Sequence, residues 1–306
     1  FLRTGDEALC QRFESARERP DELLPKDESA LLIDIAPWLE DFIARLFNIE
    51  NDVQQLAAKH HELAPLYFCK RQFVQRRAKG KVSDDELTTI DGIALEKELA
   101  AVRRAGYRTL TGADADYPEA VRSLRDAPPV LYLWGTLRPR DQWAVALVGS
   151  RSASPYGRAV AERLARELAQ AGVTVVSGLA RGVDAAAHAG ALSGGGRTVG
   201  VLGSGFSRFY PPENRRLAER MAENGAVVTE FPLESPPDAT HFPRRNRLIA
   251  AFALGVVVVE AREKSGALIT ARLAADQGKD VFAVPGSIFS PGSRGPHRLL
   301  REGARP

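Results

Sequence analysis

Two kinds of hydrophobic periodicity divide this chain. Over residues 1–81 apolar positions recur at helical spacing, as in Ile35, Leu39, Phe42, Ile43 and Leu46, and no glycine stands between Gly5 and Gly80. Pro20, Pro25, Pro37 and Pro65 cut the stretch into several short helices, and Ala78-Lys79-Gly80-Lys81 marks its exit. An all-α N-terminal module is therefore expected over 1–81, followed by a lead-in segment over 82–143. From Ala144 onward short β-branched runs alternate with longer Ala/Arg/Leu stretches, and glycine-rich joints follow most of the runs. The runs predict strands at Ala144–Val148, Val173–Val176, Thr198–Leu202, Val227–Glu230, Val256–Glu260 and Val281–Val284. One helix between them is explicit, because Val160, Leu164 and Leu168 recur every four residues, Glu162 and Arg166 pair at i,i+4, and Gly172 stops it. Apolar strands with intervening helices specify an α/β domain over 144–306, with an open, doubly wound parallel sheet. Such sheets bind ligands beyond the carboxyl ends of their strands.

Composition narrows the class. The 306 residues are 44% hydrophobic, enough for a sizeable core, and exclude a disordered, collagen-like or coiled-coil chain. Cys10 and Cys69 are too few and too far apart for a disulfide framework or a four-cysteine zinc site, and the adjacent His60-His61 lacks partners for a metal. No cofactor is expected. The stretch Phe1 to Glu7 lacks an apolar signal core, and the longest apolar run, Leu248 to Val259, falls short of a membrane span, so a soluble, cytoplasmic protein is expected.

The net charge of +3 conceals a division. Residues 1–100 carry 20 acidic and 14 basic side chains, whereas residues 101–306 carry 19 acidic and 28 basic ones. The α/β half is thus basic, and 34 of the 42 basic residues of the chain are Arg, which suits bidentate phosphate binding as well as a skewed genome composition.

The joints at the carboxyl ends carry the chemistry. After the first predicted strand, Gly149-Ser150-Arg151-Ser152-Ala153-Ser154-Pro155 leads into a helix and resembles an anion cradle. Neither G-x-G-x-x-G nor a G-K-[ST] P-loop is present, and the second strand ends in Ser177-Gly178 where a ribose-binding enzyme places Asp or Glu, which lowers NAD and ATP as ligands. The second joint, Gly178 to Asp184, brings Arg181. Asp184 and His188, four apart, form an acid/base pair on paper, but a helix cap and a satisfied histidine explain them better. The third joint interleaves Gly205, Phe206, Arg208, Phe209, Tyr210, Asn214 and Arg215, offering rings for unstacked bases and guanidiniums for phosphates, although at least one ring is expected to plug the core. The densest cluster is Arg244, Arg245, Asn246 and Arg247 at a helix start, where the macrodipole disfavours cations. An internal carboxylate such as Glu230 or Glu260, or a ligand phosphate, must compensate them.

Several of these segments together resemble the DprA/Smf family of DNA-processing proteins of natural transformation. They are Gly149-Ser150-Arg151, Ser177 to Asp184, Tyr210-Pro211-Pro212-Glu213-Asn214, Phe242 to Ala250, Ser265 to Ala271 and Val284-Pro285-Gly286-Ser287, within a likeness running from about Ile90 to Ala304. The resemblance implies an extended Rossmann-like fold that binds single-stranded DNA without cofactor or turnover, forms a homodimer and helps load RecA recombinase. It places Gly149, Ser150, Arg151, Gly178, Arg181, Gly205, Phe206, Arg208, Asn214, Arg244, Arg245, Asn246 and Arg247 around one groove. It also implies dimer or partner contacts at Ala275, His297, Leu300 and Arg301. Residues 1–81 do not match the lead domain such proteins usually carry, so no role transfers to them. The rival is a nucleotide or nucleoside-phosphate hydrolase using the same pocket, with Glu230 or Glu260 as acid/base.

Overall fold

The computed structural model describes residues 92–306, and the helical module expected over 1–81 lies outside the described residues. Eight strands form one sheet: β1 (Arg108–Thr111), β2 (Val130–Gly135), β3 (Ala144–Val148), β4 (Thr174–Ser177), β5 (Thr198–Val201), β6 (Ala226–Thr229), β7 (Gly255–Val258) and β8 (Asp280–Ala283). Their order across the sheet is β1-β2-β6-β5-β4-β3-β7-β8. The six strands from β3 to β8 pair in parallel, as the alternation requires, and lie within one or two residues of the predicted runs. Two further strands come from the lead-in segment: β2 pairs antiparallel with β6, and β1 antiparallel with β2, closing one side of the sheet.

The helices are α1 (Gly92–Arg104), α2 (Glu119–Arg122), α3 (Pro155–Gln170), α4 (Val183–Ser193), α5 (Arg215–Asn224), α6 (His241–Phe252), α7 (Gly266–Asp276) and α8 (Arg294–Arg301). Side chains alternate across each strand and so build two cores. Ala146 and Val148 of β3 pack with α6 and α7, through Leu248, Ile249 and Ala271. Leu147 points the other way, into Ala165 and Ala169 of α3 and Ala187 and Ala191 of α4. Small residues at this second face let α3 and α4 approach closely; a Cβ on Gly190 would overlap the Glu162 backbone of α3.

From β3 the chain steps through β4, β5 and β6 in one direction, then returns to the other side of β3 for β7 and β8. The strand order therefore reverses between β3 and β7, which opens a crevice between the loops that follow them. At the opposite end, Arg197 shows how a basic residue of this domain is absorbed internally. Its guanidinium binds both oxygens of Asp141 at 2.8 and 2.7 Å and donates to the Asn224 and Thr136 carbonyls, with its side chain only 3% exposed.

His188 lies fully buried on α4, with Nδ1 2.7 Å from Thr198 Oγ1. Because that hydroxyl gives its own proton to the Val175 carbonyl, His188 must be the donor through Nδ1–H, which leaves Nε2 without a partner. Burial, and then the charge of Arg245, push its pKa down to about 3. The ordinary value is about 6.5, so between 6.5 and about 3 the unfolded chain takes up a proton that the folded one refuses, and stability falls as pH drops through that window. Urea denaturation should show a loss of up to about 1.4 kcal/mol per pH unit there, and His188→Asn should remove that slope.

Candidate functional site

The crevice between β3 and β7 is a cleft of about 850 Å³. Its walls are the loop after β3 (Gly149 to Ser152), the start of α6 (Phe242, Arg245, Asn246) and the segment after β7 that leads into α7 (Arg262 to Thr270), with Tyr210 at the edge. Two glycines let the loops close together. Gly182 has φ +75 and its Cβ position is filled by the Ser150 and Arg151 carbonyl region, while Val183 N–H donates to the Ser150 carbonyl at 3.2 Å. At Gly157 a Cβ would overlap the Glu260 carboxylate.

The start of α3, expected to cradle an anion, already holds one of the protein's own. Glu260, 5% exposed, accepts from Ser154 N–H at 2.9 Å and Ser154 Oγ at 2.5 Å, and Ser154 Oγ in turn accepts from Gly157 N–H. The arginine cluster of α6 is likewise compensated from within. Glu230, with no exposed surface, accepts from Arg244 at 3.0 Å and Arg247 at 2.8 Å, and Arg247 also donates to Asp126 at 2.6 Å. Burial holds the Glu230 carboxyl above its ordinary value, and the Arg247 and Arg244 guanidiniums offset only part of that rise. Neither carboxylate weighed as an acid/base group stands free in the cleft.

Arg245 is different. Its side chain is buried in the cleft floor and donates to the Gly178 and Val201 carbonyls. Burial lowers its pKa to about 10; buried Asp184 raises it and Arg151 lowers it further. Asp184 accepts from Ala180 N–H at 3.3 Å, and burial pushes its own carboxyl up, so it serves the turn and faces Arg245 instead of His188. Arg245 is thus met from within by Asp184, and of these two arginines Arg151 is the charge that the cleft leaves for an incoming anion.

The remaining site candidates separate clearly. Gly149, Ser150, Arg151, Asn246 and Arg245 line the cleft, and Gly178 lies beneath it against Arg245. Asn214 is buried and donates to the Leu179 and Ala180 carbonyls, holding the loop in which Leu179 takes φ 56. Phe206, expected as a stacking ring, has no exposed surface; it packs on Tyr107 at 4.6 Å and Trp134 at 6.1 Å and is a core residue. Gly205 is pressed against the Pro232 and Leu233 carbonyls and does not line the cleft, and Arg208 pairs with Glu234 away from it. Arg247 belongs to the buried cluster. Arg181 is exposed, pairs with Glu213 and lies 5.9 Å from the Tyr210 ring.

The rings that do reach the cleft are Phe242 and Tyr210, 5.9 Å apart, with the Arg151 guanidinium 4.9 Å above Phe242. Arg151, Phe242 and Tyr210 therefore follow one another along the cleft, and Arg181, paired with Glu213, stands behind Tyr210 outside its lining. Two cations escaped the sequence reading: Arg262 and Lys264 on the opposite wall. They stand in the joint after the fifth predicted strand, Val256–Glu260, where the rule applied to the first three joints would have found them. Among the described residues Arg151, Arg262 and Lys264 form no ion pair with a carboxylate, and no group of His, Cys, Asp and Glu is placed to hold a metal.

The candidate dimer residues lie elsewhere. Ala275 is exposed on α7, beside a groove of about 910 Å³ between α7 and α8. His297, half-buried, bonds through Nε2 to the Gly286 carbonyl at 3.0 Å; Leu300 is half-buried and Arg301 exposed. Among the described residues no helix is long and apolar enough to cross a membrane.

Comparison with known proteins bears on this cleft. The family model of DNA recombination-mediator protein A matches residues 108–306, and that of the RP005 N-terminal alpha-helical domain matches residues 1–48. DNA processing protein DprA of Bacillus subtilis is 42% identical over 213 residues, covering 69% of this chain and 71% of that protein. Protein Smf of Escherichia coli is 42% identical over 212 residues, covering 69% of this chain but only 57% of its own length. Among solved structures, DprA from Streptococcus pneumoniae superposes with a TM-score of 0.67 at 39% identity, covering 72% of this chain and 76% of that one. DNA processing protein A from Helicobacter pylori, whose structure addresses its single-stranded DNA binding mode, gives a TM-score of 0.58 at 32% identity, covering 65% and 89%. With the family model spanning the whole sheet and the cleft at its switch point, the chain belongs to the DprA/Smf family of DNA recombination-mediator proteins.

Proposed function

We propose that this chain binds single-stranded DNA across the β3/β7 cleft, with little base preference and no turnover, and acts in the cytoplasm as a homodimer that protects incoming strands and hands them to RecA. The observation that carries the reading is the cleft's pairing of unneutralised cations, Arg151, Arg262 and Lys264, with the ring array of Phe242 and Tyr210. Rings accept any base, and cations track any phosphate, so the combination favours unpaired strands without reading their sequence. The single-stranded DNA binding mode of the H. pylori relative supports the choice of ligand.

Titration of oligothymidine and of duplex across a salt series, with mass measured on the same sample, tests it. Single strands should bind more tightly than duplex, and three phosphate-facing cations predict a slope of log K against log salt of about −2. A salt-independent affinity, or equal binding of duplex, would overturn the reading. RecA loading is tested separately, by asking whether the protein shortens the lag of RecA filament growth on single strands.

A further inference from the structure

The turn after β8 exposes the two most exposed large apolar side chains among the described residues, Ile288 at 77% and Phe289 at 90%. The turn is built, not slack. Ser290 N–H donates to the Ser287 carbonyl at 3.0 Å, Phe289 N–H to Ser287 Oγ at 3.3 Å, and Ser293 N–H to the Ser290 carbonyl at 3.0 Å. Its base is pinned from two sides, by Tyr156 Oη donating to the Pro285 carbonyl at 2.9 Å and by His297 Nε2 at 3.0 Å from the Gly286 carbonyl. These bonds fix the turn, so the Phe289 ring is held exposed at a defined place.

Position and charge indicate which ligand. β8 runs parallel beside β7, so its carboxyl-end turn emerges on the same edge of the sheet as the cleft, two strand spacings from β3, about 10 Å. Tyr156, 52% exposed at the start of α3, adds a second ring to the base of the turn. The ground between turn and cleft is cationic: Arg294 opens α8 directly after the turn and lies 4.0 Å from Glu263, which belongs to the cleft-wall segment that also carries Arg262 and Lys264. The second carboxylate in this ground, Glu260, is buried and already held by Ser154, so the exposed charge is Arg294, Arg262 and Lys264 against Glu263, and beside exposed rings it complements a polyanion with stackable faces.

We propose that Phe289, with Ile288 and Tyr156, is a second stacking platform for the same strand, engaging a base that has left the cleft. This rests on the reading of the cleft as a single-stranded DNA site. The platform makes affinity depend on strand length: a short oligothymidine of about 5 nucleotides is held by the cleft alone, and one of about 20 reaches the turn.

The experiment measures both lengths on the full chain and on Phe289→Ala, Phe289→Tyr and Arg151→Ala. Phe289→Ala should weaken the long strand about tenfold and leave the short one within about twofold, Phe289→Tyr should keep the affinity for both, and Arg151→Ala should weaken both. If Phe289→Ala binds the long strand as the wild type does while Arg151→Ala is impaired, the platform is wrong and the cleft reading stands. If the wild type binds neither length, or Arg151→Ala binds both normally, the cleft reading itself falls and the platform with it. A change in oligomeric mass in Phe289→Ala also overturns the proposal, since the patch would then be a contact between copies of the chain.

Discussion

Arg151→Ala should weaken oligothymidine binding by about 10- to 100-fold while leaving the melting temperature unchanged. A charge-assisted hydrogen bond contributes about 1.5 to 3 kcal/mol, and each 1.4 kcal/mol is about tenfold in affinity. Arg151 qualifies because it is exposed, lines the cleft and has no carboxylate partner among the described residues. It also covers the Phe242 ring at 4.9 Å, so the variant loses a stacking surface as well as a charge. Two controls make the test specific. Arg151→Lys should recover only part of the loss, because an ammonium supplies charge without the planar fork. Arg208→Ala should change affinity by less than about threefold, since that side chain is outside the cleft, 62% exposed and engaged with Glu234 in a surface pair of small worth. The salt slope of Arg151→Ala should also be shallower by about 0.7. Loss of binding with an unchanged slope would mean that Arg151 does not meet a phosphate.

The sheet was legible in the chain because its signal is local. Runs such as Ala144–Val148 and Val256 to Val258 are apolar on both faces and end in glycine or charged joints, so their pattern survives whatever packs on them. β2, Val-Leu-Tyr-Leu-Trp-Gly, has the same composition but follows Pro128-Pro129 and pairs antiparallel with a strand almost 100 residues later, outside the β-α-β rhythm. The edge on which the cleft opens was legible, since parallel strands put all their carboxyl-end joints on one side, but which two joints part to form it depends on a strand order that the chain's local pattern does not carry. Nor was the assignment of its side chains legible. Phe206 reads like a base-stacking ring, but Tyr107 and Trp134, far upstream, decide that it is core. Arg247 reads like a phosphate ligand, but Asp126, 121 residues away, and Glu230 claim it. Local spacing identifies a dense patch of guanidiniums; which of them face solvent is decided by carboxylates delivered from other elements.

That division makes Arg247 the residue whose loss should damage the protein most without touching the ligand. In Arg247→Met, Glu230 would keep only Arg244 in a site from which it has no exposed surface. Breaking a buried ion cluster by removing one partner costs about 3 to 5 kcal/mol, because the remaining charge is stranded; for a domain of this size that is a fall in Tm of about 10 °C. The deficit should depend on pH in a defined sense. Burial already pushes the Glu230 carboxyl up, and Arg247 is the larger of the two charges pulling it down. Without Arg247 its folded pKa rises further above the unfolded value, so the variant is relatively most stable at acidic pH, where Glu230 is protonated, and loses stability as pH rises through the raised value. The gap to the wild type should therefore be smaller near pH 5 than near pH 8. Adding Glu230→Gln removes the stranded charge and should recover part of the loss, a coupling that a double-mutant cycle in urea would measure. Below its melting point Arg247→Met should bind oligothymidine within about threefold of the wild type, in contrast to Arg151→Ala, because surface phosphate contacts and buried structural pairs draw on different arginines. A large affinity loss in a still-folded Arg247→Met would move that side chain from the scaffold into the binding surface.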